Sequence, residues 1–323
     1  MVCDVSRTAI DRPVTSTGAG WLAWAALGVV YVVWGSTYLA IRFSVETMPP
    51  MLSAGARFLA SGVLLCLVVL AFAGPRGFRM TRAQFGTAAL VGVLLPGWGN
   101  GLVVIAEQHV ASGLAALLIA SIPLYVVVLR RLIGQRPPAV TLVGVLIGVT
   151  GLAILLLAGP VAGAHGAAWW GPWLVVLAAL GWATGTVAGT RLPTPPNPLT
   201  FSAVGMLVGG AALTAGGFLA GEPADFAAVS ADSWLAWGYL VLFGAFAFSA
   251  YVYALGRLPV STVATYAYVN PVIAVLLGVL LAGERFGPAQ LAGGLVVVCA
   301  VVLVVRAENR ASRETVVPEG TPR

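Results

Sequence analysis

Two stretches decide the architecture. Trp34–Arg42 reads WGSTYLAIR, and Trp182–Arg191 reads WATGTVAGTR, beginning 148 residues later. Pro50 and Gly62 recur as Pro198 and Gly210 at the same offset. Ser112, Gly134, Gln135, Arg136 and Gly144 recur as Ser261, Gly283, Glu284, Arg285 and Gly293 at an offset of 149. Pro123 is answered by Pro271 within one residue of that register. Each match is weak alone, but a near-constant offset over most of the chain marks a duplicated unit.

The unit is made of apolar spans. The chain of 323 residues is 59% hydrophobic and only 9% charged, with a mean hydropathy of +0.97. A soluble chain carries about 25% charged residues, so soluble enzymes, disordered chains and nucleic-acid modules are excluded and an integral membrane protein is expected. Ten runs approach the roughly 17–25 residues that cross a bilayer as helix. They are Trp21–Phe43, Pro50–Ala73, Gln84–Ile105, Ser112–Leu129, Ala139–Ala158, Trp169–Thr190, Leu199–Ala220, Trp234–Leu255, Ser261–Ala282 and Pro288–Val305. Lipid offers no partners to free backbone groups, so helices are the economical way across. The expected fold is all-α and polytopic: residues 1–20 as a tail, 21–158 as one five-helix repeat, 159–168 as a linker, 169–306 as the second, and 307–323 as a polar, mobile tail. Five is odd, so the second copy enters the membrane inverted.

The basic residues set the orientation. All 17 are Arg; Lys is absent. With the N-terminus in the cytoplasm, fourteen Arg fall in inner segments and two, Arg42 and Arg285, in outer loops, a strong positive-inside bias. Both termini are then cytoplasmic. Arg191, the counterpart of Arg42, falls inside, and Arg285 falls outside where Arg136 is inside, as inversion demands.

Missing residues exclude chemistry. Without Lys there is no Walker P-loop and no Schiff base to a cofactor, so no cofactor is expected. All four Asp lie at positions 4, 11, 225 and 232, outside every span. No HExxH or GxSxG motif occurs, and His165 sits in the linker as a solvated side chain. Cys3, Cys66 and Cys299 have no paired spacing and read as small buried hydrophobes.

Inverted repeats build many secondary transporters, with the solute site at the midplane between interrupted helices in matching positions. Here those are the spans carrying Pro123 and Pro271, which take a gating role in this reading; a structural kink is the plain alternative.

WGSTYLAIR with VETMPP and AGARFLASG, then GNGLVVIAEQHVASG, then ATYAYVNPVIAVLLG followed by GE, resembles the EamA family of the drug/metabolite transporter superfamily, closest to its bacterial inner-membrane exporter branch. The resemblance runs from about Trp21 to Val305. It implies ten helices in two inverted repeats, small-solute export, and a cavity lined by the first, third, fourth, sixth, eighth and ninth helices. AGARFLASG has no Arg counterpart in AVGMLVGGA, so any role of Arg57 belongs to one half only.

On those helices the polar groups are mostly neutral. Thr262, Tyr266 and Asn270 are spaced to share one helix face. Trp34 with Tyr38, Trp182 with Thr186, and Ser249 with Tyr253 form further pairs, and Asn100 lies in the glycine-rich PGWGNG. Such a lining suits a neutral or zwitterionic solute; the alternative is hydrogen bonding between packed helices. Arg57 and Glu107 are expected to pair at the outer end, as gate or coupling residues. Glu284 and Arg285, in a short outer link, read as solvated. Trp21, Trp24, Trp169 and Trp170 read as interfacial anchors, and Leu155 as lipid-facing.

The leading expectation is a secondary exporter of a small metabolite or drug-like solute, amino acid or similar, working by alternating access with protons as coupling ion, in the inner membrane. Its partners are the solute, lipid and protons, with no nucleic acid; a homodimer is carried as an assembly. The alternatives are an uncoupled facilitator of the same fold and, from another class, a membrane-embedded enzyme, against which the missing constellations argue.

Overall fold

Ten helices appear in the computed structural model, which describes residues 20–159, 161, 168–255, 257–258 and 260–314. They are α1 (Gly20–Ser44), α2 (Pro50–Ala73), α3 (Arg82–Ala106), α4 (Ser112–Leu132), α5 (Ala139–Leu157), α6 (Gly171–Arg191), α7 (Pro198–Leu219), α8 (Ala231–Leu255), α9 (Tyr266–Ala282, after a short turn Val260–Val263) and α10 (Pro288–Glu314). No β-strand occurs among the described residues. Eight of these helices are apolar and long enough to span a bilayer; α9 is apolar with 17 residues, and α8 has 25. His165 and Cys3 lie outside the described residues.

Helices start where the sequence can satisfy their first N–H groups. Pro50 and Pro198 open α2 and α7, where the missing N–H costs nothing. Asn197 caps α7 by accepting from Leu199 N at 2.9 Å, and Thr81 with Gln84 forms a capping box at α3. Gly134 and its counterpart Gly283 both take positive φ, 88° and 63°, so the turn before Gln135 and that before Glu284 are copies.

The duplication is visible in contacts that exchange halves. On α2 and α7, a Cβ built at Gly62 would stand 2.9 Å from Leu207 Cγ, and one at Gly210 would stand 3.1 Å from Leu59 Cγ. On α5 and α10, Gly144 meets Val304 and Gly293 meets Leu155 in the same reciprocal way. Each pair maps onto the other by the repeat offset. Close approach at small residues drives helix association where no hydrophobic effect separates protein from lipid. With five spans per repeat, the second copy runs inverted. The remaining packing follows the same rule: α1 lies on α8 as α6 lies on α3, and α1 on α9 as α6 on α4.

Several expectations need correction. Leu155 is not lipid-facing; it is 1% exposed, wedged between α5 and α10. Cys299 is exposed on α10 rather than buried. The tail after Arg306 is not irregular from that point, because α10 continues to Glu314. The interruptions fall at Ala120–Ser121 in α4 and Ala264–Thr265 before α9. Pro123 follows the first break, but Pro271 is buried within continuous helix. A further distortion is the π-helical turn Val93–Asn100 around Pro96 in α3.

Candidate solute site

Three aromatic rings from three helices meet one another. Trp34 of α1 lies 5.2 Å from Tyr251 of α8 and 5.0 Å from Tyr266 of α9, and the two tyrosines lie 5.8 Å apart, edge-on. The sequence lets α1 pass α9 closely here: a Cβ on Gly35 would meet Ile273 at 2.7 Å and the Asn270 carbonyl at 3.3 Å. Asn270 is buried, and its Oδ1 accepts no hydrogen bond. Beside it, Tyr31 and Thr265 share a hydroxyl contact.

A second cluster lies toward the end of the bundle that carries Arg42. The Arg57 guanidinium is buried, donates from Nη2 to Asn100 Oδ1 at 3.2 Å, and lies 4.4 Å over the Phe58 ring. Asn100 comes to Arg57 because the π-turn around Pro96 rotates the end of that turn. A small crevice between α1, α2, α3 and α8 reaches Arg57, with Ser44, Ser53 and Trp237 on its wall. Glu107, in the turn after α3, is 4% exposed, and neither carboxylate oxygen accepts a hydrogen bond. Burial pushes its carboxyl well above the ordinary carboxylate range; Glu284 adds to this, and Arg42 and Arg57 oppose it. Tyr38 lies within electrostatic reach of both Glu107 and Tyr266, between the two clusters.

The expected Arg57–Glu107 ion pair is not made: Asn100 holds Arg57 instead. Nor is Glu284 solvated. It is 1% exposed and ion-paired with Arg42. Its Oε1 also accepts from Ser112 N at 2.7 Å and Ser112 Oγ at 2.8 Å, and its Oε2 accepts from Gly113 N at 3.0 Å. α4 starts with Ala111 at its cap position, which has no side-chain acceptor; Glu284 supplies one from across the bundle. Arg285 is exposed, as expected.

Other expected site residues stand apart from the two clusters. Trp182 packs on α3, where a Cβ on Gly99 would meet its ring at 2.3 Å. Thr186 is exposed and donates to the Trp182 carbonyl at 2.7 Å. Tyr253 lies under the Arg257 guanidinium, 3.7 Å from its ring. Thr262 sits before the break that precedes α9, so it does not continue the face of Tyr266 and Asn270. Trp170 does not simply anchor; its ring meets His109 edge-on at 4.9 Å. The residue that sequence reasoning missed is Tyr251. Its signal was the buried stripe Leu240, Ala247, Ala254 on α8, on which Tyr251 falls and Tyr253 does not.

An all-helical membrane bundle of two exchanged five-helix repeats, with polar and aromatic groups gathered inside it, defines a polytopic membrane transporter. The EamA-like transporter family matches this chain twice, over residues 20–157 and 169–306. The chain therefore belongs to the EamA-like transporter family, within the drug/metabolite transporter superfamily. It is 40% identical to the "Uncharacterized inner membrane transporter YedA" of Escherichia coli strain K12, over 87% of this chain and 90% of that one. It is 28% identical to a "Probable terminal-alkyne amino-acid exporter" of Streptantibioticus cattleyicolor, over 91% of this chain and 96% of the other. A crystal structure superposes with a TM-score of 0.59 at 22% identity, covering 90% of this chain and 98% of its own, which supports the fold.

Proposed function

We propose that this transporter moves a small zwitterionic solute of amino-acid type out of the cytoplasm, across the inner membrane, by alternating access coupled to protons. The observation that carries the reading is the succession inside one bundle of an aromatic trio, a hydrogen-bonded buried Arg57–Asn100 pair and a buried carboxyl, Glu107, that makes no ion pair among the described residues. Rings in one cluster and a guanidinium in the other suit a solute with an apolar or cationic part and a carboxylate. Trp34, Tyr251, Tyr266 and Asn270 hold the body of the solute in this reading. Arg57 and Asn100 receive its carboxylate, and Glu107 exchanges the proton. Trp182, Thr186, Tyr253 and Thr262 line the remaining path. The similarity to an amino-acid exporter supports the substrate class, and the similarity to YedA supports the inner membrane.

The Arg distribution supports a cytoplasmic location for both termini. The Arg42 end then faces outward and the Arg191 end faces the cytoplasm. Counterflow in proteoliposomes, screened across amino acids, nucleosides and organic cations with and without an imposed pH gradient, tests the reading. Amino-acid exchange accelerated by the gradient supports it. Exchange indifferent to the gradient makes the protein an uncoupled facilitator, and exchange of nucleosides or cations alone overturns the substrate class.

A further inference from the structure

The two ends of the bundle are copies in sequence but not in structure. At the Arg42 end, α1 packs on the first half of α4, and that half packs on α9. A Cβ on Gly113 would stand 3.0 Å from Val275 Cα, and one on Gly278 would stand 3.3 Å from Ser112 Oγ. The corresponding pairings at the Arg191 end, of α6 and of the second half of α4 with the turn Val260–Val263, are slight among the described residues. Arg191 is exposed and makes no ion pair among the described residues. Among the described residues, the Arg42 end is the more closely packed of the two.

The residues that close the Arg42 end have counterparts one repeat away. Arg42, Ser112 and Glu284 correspond to Arg191, Ser261 and Gln135, and the close crossing of Gly113 and Gly278 corresponds to Thr262 and Leu129. The copy differs at the residue that joins the parts. Glu284 uses both oxygens as acceptors, one for Arg42 and Ser112, the other for Gly113 N. A glutamine has one acceptor oxygen, and its NH2 would face the N–H of residue 262 donor to donor. It also lacks the charge that favours an anion at a helix N-terminus and pairs with Arg. Leu129 and Thr262, replacing two glycines, keep the helices further apart. In this conformer Gln135 is not idle: its Oε1 accepts from Arg130 Nε, while Arg130 pairs with Glu308.

We propose that Gln135 is a positioning residue for alternation. It makes the Arg191 gate a weaker copy of the Arg42–Ser112–Glu284 gate, and so sets the resting state as closed at the Arg42 end. This inference rests on the alternating-access reading above. It assigns the bias between the two faces to one repeat-related substitution, Gln135 for Glu284. Closing the Arg191 end requires Gln135 to leave Arg130 and meet Arg191 and the start of α9.

Spin-label distances on the full-length protein in lipid nanodiscs test it. One label pair, Leu132→Cys with Arg257→Cys, spans the Arg191 end; the other, Glu46→Cys with Arg285→Cys, spans the Arg42 end; all four positions lie at the ends of spans and outside the gate residues. The background lacks Cys3, Cys66 and Cys299. The parent should show the longer separation at the Arg191 end. Gln135→Glu combined with Arg130→Gln, which frees residue 135 from its present holder, should shorten that distance and lengthen the other, reversing the major population. Arg130→Gln alone should not. Glu284→Gln, which makes both gates alike, should leave both conformers populated. If the double variant matches Arg130→Gln alone while Glu284→Gln moves both distances in opposite senses, the role of Gln135 is overturned and alternation stands. If the two distances never move in opposite senses in any variant, alternation itself is overturned. Size-exclusion profiles and thermal melts identify any variant that misfolds, and Gln135→Glu without the Arg130 change then serves as the second test, with a smaller shift in the same direction.

Discussion

Arg42 at the end of α1 is ion-paired with Glu284 in the link between α9 and α10, 242 residues away in sequence. The pair ties the first helix of one repeat to the fourth helix of the other, and through Ser112 and Gly113 to the fourth helix of its own. Both side chains are withdrawn from solvent. Such a pair depends on additional hydrogen bonds to offset desolvation, and here Glu284 has them.

That geometry orders two substitutions. Glu284→Ala removes the partner of Arg42 together with the acceptor of two backbone N–H groups and one hydroxyl. Arg42→Ala leaves the carboxylate with three donors. Breaking a buried pair typically costs about 3–5 kcal/mol, so Glu284→Ala should fall at or above the top of that range and Arg42→Ala near or below its bottom. Thermal denaturation in detergent ranks them; equal losses would contradict the hydrogen-bond arrangement.

Two glycines of α3 should respond oppositely to alanine. At Gly92 a Cβ would meet the Gly205 carbonyl at 2.3 Å, backbone that cannot step aside without moving α7; overpacking of this kind costs about 1–3 kcal/mol. Gly86 has open space around it, and alanine there should stabilise the helix by roughly 1 kcal/mol. Melting temperatures of the two variants check the α3–α7 crossing directly.

Glu107 gives a pH dependence. Burial raises its carboxyl in the folded protein, so the folded state binds a proton that the unfolded state has already released. The stability this gives is present at acid pH and is lost as pH rises through the shifted pKa. Glu107→Gln keeps the neutral form at every pH. Its melting temperature should match the parent at acid pH and exceed it increasingly toward alkaline pH. A constant difference across the range would mean that Glu107 is not held protonated by burial.

The fold was legible because its signals are long-range and redundant. Ten apolar runs, a repeat offset and the placement of Arg all point to one architecture, and helix ends shift by only a few residues except at the start of α9 and the end of α10. The candidate site was legible in part. Trp34, Tyr266 and Asn100 belong to the clusters that the structure brings together, but Tyr251 was passed over for Tyr253, which is turned to another face of α8. Glu284 was misread because a charged residue in a short link looks solvated; what buries it is the close approach of α4 and α9 at Gly113 and Gly278, a tertiary event that no local pattern announces. Arg57 was matched to Glu107 by depth alone. The π-turn at Pro96 instead delivers Asn100, a rotation that helical spacing does not foresee.

The pocket proposed around Trp34, Tyr251 and Tyr266 is reached from one side of the membrane at a time. Side-specific labelling tests it most directly. Trp34→Cys, in a background lacking Cys3, Cys66 and Cys299, is exposed to a membrane-impermeant thiol reagent in right-side-out and in inverted vesicles. Leu146→Cys on the exposed face of α5 is the control for reaction through lipid. Position 34 should react fast in inverted vesicles, where the Arg191 end meets the reagent, and slowly in right-side-out vesicles, and position 146 should react in neither. Equal reaction from both sides, or reaction only from the Arg42 side, would contradict it.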